Sequence, residues 1–205
     1  MDTSTIFVQA YFYTLSALLQ GFAALITLTA MFAIFKLQTI HNKIVEARER
    51  SINALTINYP KSHPLYIEIA NLSLNNLVVR AEDRIKKLED QIKIIEKEIV
   101  DFNLTQMSID IKKGNLREKQ QELNLISEQL QTLKRSIENE RCVISSLWAP
   151  FITNLIVVAA SSILLPLRAY FNNQAIFWMW AISLIAVLAL FLSAQYIIKI
   201  LRIET

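Results

Sequence analysis

Cys142, His41 and His63 are the side chains best equipped for nucleophilic or metal chemistry, and they are scattered along the chain. A structural zinc site takes four converging ligands, and a catalytic one takes three and keeps a position open. One cysteine and two separated histidines offer no such set, and a single cysteine forms no intrachain disulfide. Cys142 reads as a small buried or interfacial residue. His41 and His63 read as ordinary polar positions, the first after an apolar run and the second between Pro60 and Pro64. No nucleophile, base and orienting group assemble into a local motif. Two glycines in 205 residues leave no dinucleotide fingerprint and no phosphate-cradling loop. The expectation is a non-enzymatic protein without cofactor or metal.

Other polar residues sit inside apolar runs. Ser16, Gln20, Ala23, Thr27 and Ala30 recur at alternating steps of four and three, which places them on one face of a helix. Small and hydroxylated residues let helices approach closely in lipid, and an amide can bond across the contact. Asn154, followed by the small residues 159–162, supplies a similar face later in the chain. These residues are expected to pack membrane helices. The apolar runs contain no Asp, Glu, Lys or His, which weighs against proton relay and ion pumping.

Those faces need helices to carry them, and three apolar stretches qualify: residues 6–35, 147–171 and 175–198. About 20 helical residues cross a bilayer core. The first stretch lacks a basic leader and is too long for a cleavable signal, so it reads as a permanent span. Residues 172–174 alone separate the second and third, which forces an antiparallel pair of spans. Trp148, Trp178, Trp180 and Tyr196 lie near the ends, as an interfacial aromatic belt requires. Lys36, Lys43, Arg48 and Arg50 follow the first span, Lys134, Arg135 and Arg141 precede the second, and Lys199 and Arg202 follow the third. Arg168 alone lies on the other side. This bias predicts an outside N-terminus, with the middle block and the C-terminus in the cytoplasm. Sequons at Asn71 and Asn103 then lie where no glycosylation occurs.

Of 21 basic and 18 acidic residues, the block from Lys36 to Arg141 holds 18 and 16. A near-balanced charge argues against a nucleic-acid partner, which favours a one-signed patch. From Leu74 apolar residues fall at steps of four and three through Val78, Ala81, Ile85, Leu88, Ile92, Ile95, Ile99 and Phe102. A second seam follows in Leu116, Leu123, Ile126, Leu130, Leu133 and Ile137. Sustained heptads flanked by mixed charge predict a coiled coil, with Ile85, Leu88, Ile92, Ile95, Ile99, Leu123, Ile126, Leu130, Leu133 and Ile137 as its core. Gly114 and Asn115 suit the left-handed geometry of a helix end, so they are expected at the tip of a hairpin turning near 112–115. That turn sets Leu130 opposite Ile99, and Ile137 opposite Ile92.

The predicted organisation is an all-α integral membrane protein with three transmembrane helices and a cytoplasmic antiparallel coiled-coil hairpin between the first and second. Residues 1–36 form the first span, 37–64 a helical extension and Pro-containing linker, 65–146 the hairpin, and 147–205 the last two spans and a short tail. The wealth of Ile, Asn and Lys suits an AT-rich bacterial genome, hence a bacterial inner membrane. One span, a cytoplasmic coiled-coil hairpin and two further spans, with the N-terminus outside, is similar to the layout of the YidC-type insertase superfamily, which includes receptor subunits for tail-anchored proteins. The resemblance covers the whole chain as topology and rests on no motif. It implies a membrane-protein insertion factor, although the basic groove residue of that superfamily's bacterial branch has no counterpart in residues 6–35. An oligomeric membrane-perturbing pore is a further alternative. The favoured expectation is an interaction or scaffold module, held in membrane lipid, homo-oligomeric, and meeting a protein partner through its coiled coil.

Overall fold

A computed structural model describes residues 3–101, 106–167 and 175–203. Phe102 of the expected first seam, Arg168 and the expected turn at 172–174 lie outside these residues. Five α-helices make up the described chain: α1 (Thr3–Leu55), α2 (Pro64–Ala70), α3 (Leu74–Asp101), α4 (Gln106–Leu167) and α5 (Ala175–Arg202). Among the described residues there is no strand. Three helices, α1, α4 and α5, contain stretches long and apolar enough to cross a membrane.

Local chemistry sets the helix ends. Thr56 still donates its N–H to the Ile52 carbonyl, and Pro60 then prevents continuation. Pro64 opens α2, where its missing N–H costs nothing. His63 caps that helix, its Nδ1 accepting the Leu65 N–H at 3.2 Å. At the far end the Arg48 guanidinium donates to the carbonyls of Ala70 (2.7 Å) and Leu72 (3.1 Å), which have no helical partner there. Ser73 precedes α3 and accepts the Asn76 N–H through its hydroxyl, an N-cap bond.

Gly114 and Asn115 are not at a turn. Both lie exposed within α4, and neither glycine of the chain has a positive φ. The physical reason is that the heptad seam does not stop at them. Ile109, Lys112, Leu116, Lys119, Leu123 and Ile126 keep the four-three spacing across the glycine, and all are wholly or partly buried. One glycine costs a helix about 1 kcal/mol, which strong helix formers and a continuous packed face outweigh. The helical break falls elsewhere: α3 ends at Asp101 and α4 begins at Gln106.

The chain divides into two compact units, residues 41–138 and residues 1–40 with 139–205, and α1 and α4 contribute to both. In the first of these, the end of α1 joins α3 and the early part of α4. Ala54, Ala81, Leu88, Ile126 and Leu130 are buried together, with Leu55, Val78, Ile85 and Leu123 against them. The heptad seam therefore packs on a third helix as well as on its partner arm.

The other unit packs the apolar parts of α1, α4 and α5 in successive layers. Tyr11, Leu15 and Ile182 form one layer with Ala160, Leu164 and Met179. Phe22 lies in the next with Val157, Ala186 and Ala189. Bulky α1 side chains thus meet small residues of α4 and α5, the close approach that drives association in lipid. The Tyr11 hydroxyl donates to the Leu164 carbonyl at 2.7 Å, a group in the last turn of α4.

Candidate functional site

Ion pairs order the arms of the 41–138 unit. Glu98 pairs with Lys112 (2.7 Å), Arg84 with Glu122, and Glu82 with Lys134. As the α3 number falls the α4 number rises, so the arms run in opposite directions. Each pair has its sequence midpoint at 105, 103 and 108 respectively. This corrects the expected register: Leu130 does not face Ile99 but packs in the cluster of Ala81 and Leu88, about three to five helical turns away. The Arg84 guanidinium donates through both Nε and Nη2 to one oxygen of Glu122, whose side chain is largely shielded. Lys87 bonds Asp83 one turn away at 2.8 Å, and that hydrogen bond is the first reason the Asp83 carboxyl lies below the ordinary aspartate value.

The expected seam residues all turn inward. Leu88, Ile92, Ile126, Leu130 and Leu133 are buried, and Ile85, Ile95, Ile99, Leu123 and Ile137 are half-buried. What leaves the pair outward is also apolar: Ile94, Val100, Met107 and Ile111 are exposed near the end of α3 and the start of α4. Spacing alone had marked the inward set, and only the paired arms identify these four as surplus.

Sequence reasoning missed a cavity of about 150 Å³ in the same unit. Leu55, Tyr59, Leu65 and Ile69 form its apolar side. Charged residues of α3 and Glu122 of α4 form the rest. Tyr59 and His63 hold each other ring to ring, centroids 4.7 Å apart. The only sequence signal was the Pro60–Pro64 break, which reads as a linker until α2 is seen packed on α3.

In the unit that holds the three apolar stretches, Asn154 is fully buried and its Nδ2 donates to Ser193 Oγ at 2.9 Å, while its Oδ1 has no partner among the described residues. The other expected packing residues are placed differently. Gln20, Ala23 and Thr27 are exposed, and Ser16 and Ala30 half-buried. Within one chain α1 packs instead through Tyr11, Leu15, Phe22, Thr29, Ala33 and Lys36, a second heptad stripe on a different face. Both faces obey the same spacing, so periodicity alone could not choose between them. Lys36 is almost fully buried and donates to the Ile203 carbonyl at 2.6 Å, a cation at the C-terminal end of α5. Lys199 donates to Ser146 Oγ at 2.7 Å, and Cys142 lies one turn before that serine. Among the described residues no three His, Cys, Asp or Glu converge as metal ligands.

No family model, curated protein or solved structure matches the chain.

Proposed function

We propose that this protein is a membrane-anchored interaction module, a scaffold that presents a helix pair to a protein partner and catalyses no reaction. The observation that carries this reading is the apolar surface outside the helix pair. Val100 and Met107 retain 81% and 76% of their exposure, and Ile94 and Ile111 each 57%. A solvated helix pair gains nothing by showing these side chains to water, and such surfaces mark interaction sites. The opposed ion pairs and the buried heptad residues support an antiparallel coiled-coil hairpin. Basic residues flanking the three apolar stretches support its cytoplasmic side with the N-terminus outside, and the wealth of Ile, Asn and Lys supports a bacterial inner membrane as the host.

Self-association is part of the same proposal. Gln20 and Thr27 face outward from α1 amid apolar surface. An amide in lipid is costly unless it pairs, and a glutamine has both donor and acceptor to offer a second copy of itself.

A photo-crosslinking residue at Met107 tests the reading in cells, with one at Gln131 as a control. The expected result is a crosslink from position 107 to a distinct protein, reduced severalfold by Ile94→Asp and absent from position 131. Crosslinks to lipid alone, or equal crosslinking from both positions, would overturn it. Recovery of ribosomes or nascent apolar chains would favour an insertion factor instead. A discrete homo-oligomer that leaks ions, with no other protein captured, would favour a pore.

A further inference from the structure

Charge is unevenly satisfied around the cavity between the 55–69 segment and α3. Its wall holds three cations, Arg80, Arg84 and Lys87, and two carboxylates, Asp83 and Glu122. Both carboxylates are already taken. Asp83 is bonded by Lys87, and Glu122 by two N–H groups of Arg84. Arg80 makes no salt bridge among the described residues and acts on Asp83 only as a nearby charge, and Arg84 keeps three of its five N–H donors outside the Glu122 contact. The lining therefore carries one surplus positive charge and guanidinium donors beyond those engaged by Glu122. Its remaining wall is mostly apolar, from Leu55, Ile57, Leu65 and Ile69 with the Tyr59 ring, and Asn58 adds an uncharged polar side chain.

A ligand matching that wall has an anionic head on a short apolar stem. About 150 Å³ is the size of cavity that holds one benzene ring, room for one side chain and too little for a helix. A glutamate side chain, two methylenes ending in a carboxylate, meets both demands. Guanidinium groups favour a carboxylate because their planar donors match its two oxygens.

We propose that this cavity is a recognition pocket for a glutamate side chain on an acidic, apolar-flanked segment of the protein partner. The proposal rests on the interaction-module reading for the ligand being a protein; the charge surplus stands apart from it. Arg80 supplies the charge outside any ion pair, Arg84 supplies further guanidinium donors, and the residues from Leu55 to Ile69 receive the stem. Charge complementarity of this kind selects among partners and fixes their register.

Full-length protein in mild detergent, with labelled arginine side chains, is titrated with the capped peptide acetyl-Leu-Glu-Leu-amide and with its Gln counterpart. The Glu peptide is expected to shift the Arg80 and Arg84 Nε resonances saturably, with the Gln peptide at least tenfold weaker. Arg80→Glu should abolish the Arg84 shift while leaving helix content unchanged, and Arg80→Lys should retain part of it. Equal response to the two peptides, or full binding by Arg80→Glu, overturns the proposal. So does glycerol 3-phosphate binding tenfold more tightly than the Glu peptide, since the occupant is then a phosphate headgroup. Failure here with the Met107 crosslink intact removes the pocket and leaves the interaction module standing.

Discussion

Replacing Gly114 by alanine separates a helix interior from a turn in one experiment. In α4 the glycine has no positive φ, and a Cβ built on it meets nothing within 4 Å. Gly114→Ala then adds no clash and little burial, and the gain is the difference in helix propensity, about 0.8–1.0 kcal/mol. Asn115→Ala adds up to about 0.6 kcal/mol by the same route, since asparagine competes for its own backbone. Amide hydrogen exchange of the full chain in detergent measures this directly. Where local opening controls exchange, about 0.9 kcal/mol slows the amides of residues 110–118 by roughly fourfold, because 1.4 kcal/mol is a factor of ten. The double variant should slow them by about tenfold. A turn at Gly114 requires the opposite sign: alanine at a left-handed position costs about 1–2 kcal/mol, and exchange accelerates. Faster exchange in Gly114→Ala would refute the continuous α4.

Other perturbations reach the remaining parts of the fold. Leu88→Ala removes three carbons from a fully buried site, about 2.4 kcal/mol of transfer plus a cavity term, so a loss of about 3–4 kcal/mol is expected in urea unfolding; a loss below about 1 kcal/mol would place Leu88 outside the core. In a Cys142→Ser background, Glu98→Cys with Lys112→Cys should crosslink within one chain through a short bifunctional thiol reagent, whereas Ile99→Cys with Leu130→Cys should not, and the reverse outcome restores a turn at Gly114. Asn154→Leu loses one interhelical hydrogen bond, about 0.6 kcal/mol on average, but also removes a buried Oδ1 without a partner, so thermal stability in detergent should change by less than about 1 kcal/mol; a loss above about 2 kcal/mol would show that Oδ1 is engaged. Asp83 should titrate below the ordinary value of 3.8, so the stability it contributes is present above that pH and lost as pH falls through its lowered folded value. Carboxyl NMR checks this, and a value that does not rise toward 3.8 in Lys87→Gln would show that the Lys87 hydrogen bond is not the cause.

The helical class and the three apolar stretches were legible in the sequence because each depends on local information. A run such as residues 6–35, without charge and without proline, has few options but a helix, whatever surrounds it. Heptad spacing likewise turned Leu88, Ile92, Ile126 and Leu130 inward without reference to any partner. Which α1 face packs inside the chain was not legible. Ser16–Gln20–Ala23–Thr27 and Tyr11–Leu15–Phe22–Thr29 follow compatible helical spacings, and the choice fell to the second because Ala160, Ala186 and Ala189 supply room for bulky side chains. The boundary between α3 and α4 was hidden for a related reason. A glycine marks a turn only where packing permits one, and a seam continuous from Ile109 to Ile137 holds Gly114 in the helix. Arm register is a property of two helices at once, decided by pairs such as Arg84 with Glu122 whose members lie 38 residues apart. The cavity beside Arg80 is equally non-local, since α2 must dock on α3 before Tyr59, Leu65 and the α3 cations share one space. Periodicity determines which side of a helix is apolar; only the contacts between helices determine what that side meets.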